Sequence, residues 1–145
     1  MKIEGEINMG ESFFWKDKAK GILKAELFSE TAENEAKRIA QSKDFKEKNK
    51  IVNAPAYTQL RKFYDDVLRY KTKISANEGD FDKYLPYVRM INAKLTYANA
   101  RDNITKDCLN SFKARINEIL DIKDFYAFAD FFEAFMAFYK QYSKK

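Results

Sequence analysis

At 145 residues and 46% hydrophobic, the chain has the size of one domain whose core needs no covalent staples. Its single cysteine, Cys108, excludes an internal disulfide and fits a cytosolic setting, and the lack of histidine removes the commonest general base and neutral metal ligand. The formal charge is +5, and the excess sits in residues 57–115, with 12 basic and 7 acidic side chains against 2 and 5 in residues 116–143, a bias that suits a polyanionic partner as well as a solvated surface.

Only four glycines and two prolines interrupt the chain, so few turns and long helices are expected. The N-terminal MKIEGEINMG has no apolar signal core, and the longest apolar run, residues 134–139, falls short of a membrane span. A soluble cytoplasmic protein without a membrane partner is expected. Apolar spacing is helical almost throughout, with no alternating stretch for a strand. The expected fold is all-α, a compact bundle of about five to six helices with no sheet.

A first helix is predicted from about Ser12 to Phe28, with Trp15, Ala19, Ile22 and Leu23 on one side. A second follows a Ser29 or Thr31 cap, with Glu30, Glu33 and Glu35 placed to suit the helix dipole and a thin apolar face of Ala32, Ala36, Ile39 and Ala40. Residues 46–50 and Asn53-Ala54-Pro55 read as a connector. Residues 1–50 are therefore expected as an N-terminal helical appendage, and residues 51–145 as the bundle core of what is one domain overall.

The third helix, about Thr58–Ile74, carries the stripe Leu60, Phe63, Tyr64, Val67, Leu68 and Ile74. A loop at Ser75–Asp82 leads to a fourth helix that starts near Pro86, a residue suited to a first turn, and ends near Arg101. The fifth, about Thr105–Leu120, buries Leu109, Phe112, Ile116 and Ile119. The sixth, Asp124 to about Tyr142, contains nine aromatic side chains whose stripe covers half the helical wheel. It is expected at the centre of the bundle as core; the alternative reading is that its outer edge completes a subunit interface.

No constellation of catalytic groups stands out. There is no Gly-rich phosphate loop or nucleophile motif, and Cys108 reads as a small buried hydrophobe near the core edge. Asp65 and Asp66 point about 100° apart on a helix. Asp130 and Glu133 share a face, which fits a solvated surface beside Lys140 better than a metal site. No catalytic residue, metal ligand or cofactor is assigned.

The basic rows are more informative. Residues 86–101 contain Arg89, Lys94 and Arg101 and no acid, and Lys94, Tyr97 and Arg101 share the side away from the apolar stripe. Two cations beside an exposed ring suit phosphate contacts with stacking. On the third helix Lys62, Arg69 and Lys73 line up outward with Asp66 in the same row, and Arg61 lies at the core edge. Solvated helix faces account for these rows equally well, and Tyr97 with Met90 also suits a protein contact.

The order of segments has a specific likeness. Thr58-Gln59-Leu60-Arg61-Lys62-Phe63-Tyr64 runs on to Val67-Leu68-Arg69. Leu85-Pro86-Tyr87 follows, then Lys94-Leu95-Thr96-Tyr97-Ala98 and Arg101. Asp124-Phe125, Phe131-Phe132-Glu133-Ala134-Phe135 and Tyr139 close the chain. From Tyr57 to Tyr142 this resembles the small subunit of type III-A CRISPR effector complexes, the Csm small-subunit family.

The resemblance implies a non-catalytic helical subunit of an antiviral ribonucleoprotein. Several copies line up as a filament that holds guide RNA (crRNA) and paired target RNA through backbone contacts, beside the other Csm subunits. Target cutting and signalling chemistry belong to those other subunits. Arg61, Lys62, Arg69, Lys94, Tyr97 and Arg101 are the expected RNA-facing residues, and self-association as a filament or dimer is expected. Two rivals remain open: a helical protein scaffold without nucleic-acid contact, and a nuclease using Asp130 and Glu133.

Overall fold

The computed structural model describes residues 11–143. The N-terminal segment read above for a signal core, and the start of the expected appendage, lie outside the described residues. Helices dominate, but two small antiparallel hairpins correct the expectation of a sheet-free fold.

The first correction falls on the expected helix at Ser12–Phe28. That segment forms β1 (Trp15–Asp17) and β2 (Ile22–Leu23), with Trp15 opposite Leu23. Local side-chain bonds compete with a helix here. The Ser12 hydroxyl oxygen accepts from the amides of Phe14 and Trp15, and the Asp17 carboxylate accepts from Lys20 N–H. Gly21 closes the turn at φ +71°, a left-handed conformation open to glycine at no steric cost.

A π-helical turn, Leu27–Thr31, then leads into α1 (Ala32–Ala40). Its thin apolar face is sufficient: Ala32, Ala36 and Ile39 are fully buried. The expected connector is a second hairpin, β3 (Lys43–Lys46) with β4 (Lys50–Asn53), pairing Lys46 with Lys50 and Asp44 with Val52. Lys48 and Asn49 turn its tip at φ of 64° and 63°.

Helix α2 (Tyr57–Ala76) follows the predicted stripe. The expected loop at Ser75–Asp82 is mostly helical, with a 3-10 turn at Glu78–Asp80 and α3 beginning at Phe81. Pro86 therefore sits inside α3 (Phe81–Arg89) rather than in a first turn. Proline has no N–H to donate and crowds the preceding turn, so α3 lacks one internal hydrogen bond at Pro86. The helix is interrupted farther on, at Met90, before resuming as α4 (Ile91–Ala100).

Helix α5 (Lys106–Asn117) is capped by Thr105, whose hydroxyl accepts from Cys108 N–H. The Cys108 thiol is fully buried, not at the core edge, and burial pushes its pKa upward. Helix α6 (Ile122–Tyr142) opens with a reciprocal capping box between Asp121 and Asp124.

Helix α6 packs chiefly against α1 and α2. Phe125, Phe128, Phe131, Phe132, Phe135 and Tyr139 are all buried, and Phe112 of α5 meets Phe132 and Phe135 at 4.7 and 5.1 Å between ring centroids. Phe14, Leu27 and Ile39 join the same core cluster as these rings, so the core runs without a break across residue 50. Its consequence for function is geometric. With α6 covered on several sides, the outer faces of α2 and α4 are turned toward solvent.

Candidate nucleic-acid interface

Helices α2 and α4 flank an open groove of about 510 Å³. Gln59, Lys62 and Phe63 come from α2, while Lys94, Tyr97 and Arg101 come from α4 and its C-cap. The helical period explains the convergence. Phe63 and Leu95 turn into the core, which leaves Lys62 and Lys94 one residue away on the rims.

Four of the six expected site residues, Lys62, Lys94, Tyr97 and Arg101, line this groove. Tyr97 is 62% exposed, and its hydroxyl accepts from the Arg101 guanidinium at 3.1 Å while that guanidinium also lies 5.6 Å from the ring centroid. Ring and cation are thus held together at one end of the groove. Arg101 and Lys62 make no ion pair among the described residues.

Lys94 is also outside the core, but it is not free. Its ammonium group lies 3.1 Å from Asp66, which also takes the Arg69 guanidinium at 2.8 Å. Asp66 belongs to the groove lining and is the one carboxylate there. Its predicted place in the basic row of the third helix is therefore an actual neutralising contact. Pairs at this exposure contribute little stability and exchange readily with other ions.

The other two expected residues lie outside the lining. Arg61 is not tucked against the core: it pairs with Asp65 at 3.0 Å with half its side chain exposed. Arg69 reaches the groove only through Asp66, and stands over Tyr70. Arg89 turns away and donates to the backbone carbonyl of Ile119.

Gln59 and Asn103 also line the groove and were missed. Gln59 stands three residues before Lys62 on the same face, a helical signal open to sequence reasoning. Asn103 follows the turn at Asp102, where φ is +65°, and nothing in the sequence aims it there.

Outside the groove lining, Asp130 pairs with Lys71 and not with Lys140, whose ammonium lies 4.6 Å from the Tyr57 ring. No group of three or more potential metal ligands occurs among the described residues. Among them no helix is long and apolar enough to cross a membrane.

The fold and groove define a small helical protein with a cationic, aromatic-edged face between two helices. A family model described as Csm2 Type III-A matches residues 23–145, and the chain belongs to that family, the small subunit of type III-A CRISPR Csm complexes. No curated protein and no solved structure matches it.

Proposed function

We propose that this chain is a non-catalytic, RNA-binding small subunit that steadies guide and target RNA in the Csm complex. The observation that carries this reading is the meeting of Lys62, Lys94, Tyr97 and Arg101 on one groove with a single carboxylate in its lining. The two lysines and the arginine are donors suited to phosphate oxygens, and the Tyr97 ring offers a face to a base or sugar. Such contacts carry no base code, so the grip is independent of sequence.

One subunit offers few contacts, so binding is weak alone and strengthens when copies are joined in the complex. The test is RNA retention by the assembled complex carrying Lys94→Ala with Arg101→Ala. Retention should fall about tenfold or more at moderate salt. The log–log salt slope should flatten by about 0.7 for each single-strand phosphate that the variant no longer neutralises. Unchanged circular dichroism would show that the subunit remains folded. Unchanged affinity and slope in that folded variant would refute the reading and leave the protein-scaffold alternative.

A further inference from the structure

The groove between α2 and α4 is more apolar than phosphate contacts require. Phe63, Met90, Ala93 and Ala98 line it beside the Tyr97 ring, and Met90 is left 49% exposed there. A phosphate set against such a surface gives up water for groups that offer it no hydrogen bond. Lys62 and Lys94 stand at the rims and Arg101 at one end, so phosphates held by them leave the apolar lining between uncovered.

Two amide side chains in the same lining are also unused. Neither Gln59 nor Asn103 makes a side-chain hydrogen bond among the described residues, and Asn103 is exposed. By contrast, the α4 amides of Asn92 and Asn99 are engaged within the chain, by Asn117 and by the Ile104 carbonyl. The space itself, about 510 Å³, falls within the about 300–1,000 Å³ of sites that hold small organic ligands.

On the RNA reading of this groove, on which the inference rests, we propose that it receives one unpaired nucleotide with its base laid on the apolar lining. A nucleotide is the unit of RNA that matches all three features: a flat apolar face, a hydrogen-bonding edge and an anionic backbone. Its face meets Met90, Ala93 and Tyr97, its edge meets Gln59 or Asn103, and the flanking phosphates meet Lys62 and Arg101. A base within a duplex cannot enter, because its neighbours cover its faces and its partner takes its pairing edge. The groove therefore selects RNA that is unpaired at the point of contact, and a duplex is held by the rim cations alone.

The preference is for an unpaired base and not for one kind of base. An amide carries both a donor and an acceptor, and every base has a π-face. A nucleotide is favoured over an acidic peptide by the Tyr97–Arg101 pair, which sets a ring beside a guanidinium plane, the combination that single-strand sites use.

The test is titration of the full chain with three RNAs of one length: oligouridylate, the same backbone without bases, and a blunt duplex. Methyl resonances of Met90, Ala93 and Ala98 report the lining, and side-chain resonances of Lys62 and Arg101 report the cations. Shifts stay readable for dissociation constants on the order of millimolar, so the weak grip of one chain suffices. Oligouridylate should move both sets and bind about tenfold more tightly than the abasic strand. The abasic strand and the duplex should move the cation signals only. Met90→Gln, a polar replacement at an exposed position, should reduce the advantage of oligouridylate over the abasic strand about threefold. Equal affinity for the two single strands, or lining methyls that stay still while the cations respond, overturns the inference and leaves the RNA reading standing. So does a duplex that moves the lining methyls as oligouridylate does. A chain whose lining and cations ignore all three RNAs overturns the RNA reading and this inference together. Lining methyls that ignore RNA and answer to an acidic amphipathic peptide also overturn it, and make the groove a protein contact.

Discussion

The hairpins β1–β2 and β3–β4 are fastened to the helices by the same device set at different depths. Each places lysine on aspartate: Lys18 on Asp121 and Asp124 at 2.9 and 3.0 Å, and Lys46 and Lys50 on Asp102, both at 2.6 Å. Asp124 is only 2% exposed and also accepts from the Trp15 indole N–H at 2.8 Å and from Leu120 N–H at 3.0 Å. Asp102 stands at the surface, its carboxyl held below the ordinary value by the hydrogen bonds from Lys46 and Lys50. Donors gathered on a buried carboxylate have given up water and are stranded if it is removed. At the surface, water takes its place. The first hairpin is therefore part of the core, and the second is an attachment whose outer face, Phe45 and Ile51, stays exposed.

The largest expected effect is at the buried anchor. Asp124→Ala removes the partner of Trp15, one of the two carboxylates on Lys18 and one side of the α6 capping box. The unsatisfied donors and the missing cap together should cost about 3 kcal/mol, read as a lower urea midpoint. Trp15 is the single tryptophan, so its fluorescence reports this hairpin directly. Asp124→Asn keeps an accepting oxygen and should retain part of the stability. A wild-type midpoint for Asp124→Ala would erase the distinction between the two anchors.

The surface anchor should yield locally. Asp102→Asn keeps a side chain that tolerates the φ of +65° but removes the charge. The global midpoint should not move, while amide exchange across residues 43–53 should speed up. Acid should act the same way. Because the folded Asp102 carboxyl lies below its ordinary 3.8, its contribution is fully present above that value and is lost as pH falls through the folded value. Amide resonances of residues 43–53 followed down to about pH 2 should report this release. A hairpin indifferent to both changes would be held by buried Val52 and by the Asp44 carboxylate, which accepts from Lys106 N–H at 2.8 Å.

Legibility in the sequence divides along similar lines. Helices α2, α4, α5 and α6 were readable because burial imposes a 3.6-residue period, and Leu60, Val67, Leu95, Phe112 and Phe135 all fall on it. The hairpins were not. Trp15, Ala19, Ile22 and Leu23 happen to be spaced as on a helix, while the Ser12 and Asp17 side chains and Gly21 set a turn instead. In residues 43–53 the solvated face carries Phe45 and Ile51 while the inward face pairs Asp44 with Val52, so apolar and polar residues do not alternate by face; Asn49, a residue that tolerates positive φ, beside Ile51-Val52 was the local hint. The rows of Lys94, Tyr97 and Arg101 followed from helix geometry. That Lys62 joins them across the groove while Arg61 and Arg69 do not was set by how α2 and α4 dock, which no local pattern encodes.

Asp66 extends the comparison to a third carboxylate shared by two cations. Like Asp102 it serves two partners, Arg69 and Lys94, but it does so inside the groove proposed for RNA. A phosphate that reaches Lys94 competes with it for the ammonium group. Asp66→Asn removes that competitor while nearly preserving shape, and the assembled complex should then hold single-stranded RNA about threefold more tightly at moderate salt, within the range of an exposed ion pair. The salt slope should steepen by about 0.7 if one more phosphate is engaged. Asp102→Asn, outside the groove lining, should leave both quantities unchanged. Weaker binding by Asp66→Asn would mean that the carboxylate positions Lys94 and Arg69 for RNA instead of competing with it, and the carboxylate in the groove would then belong to the binding surface itself.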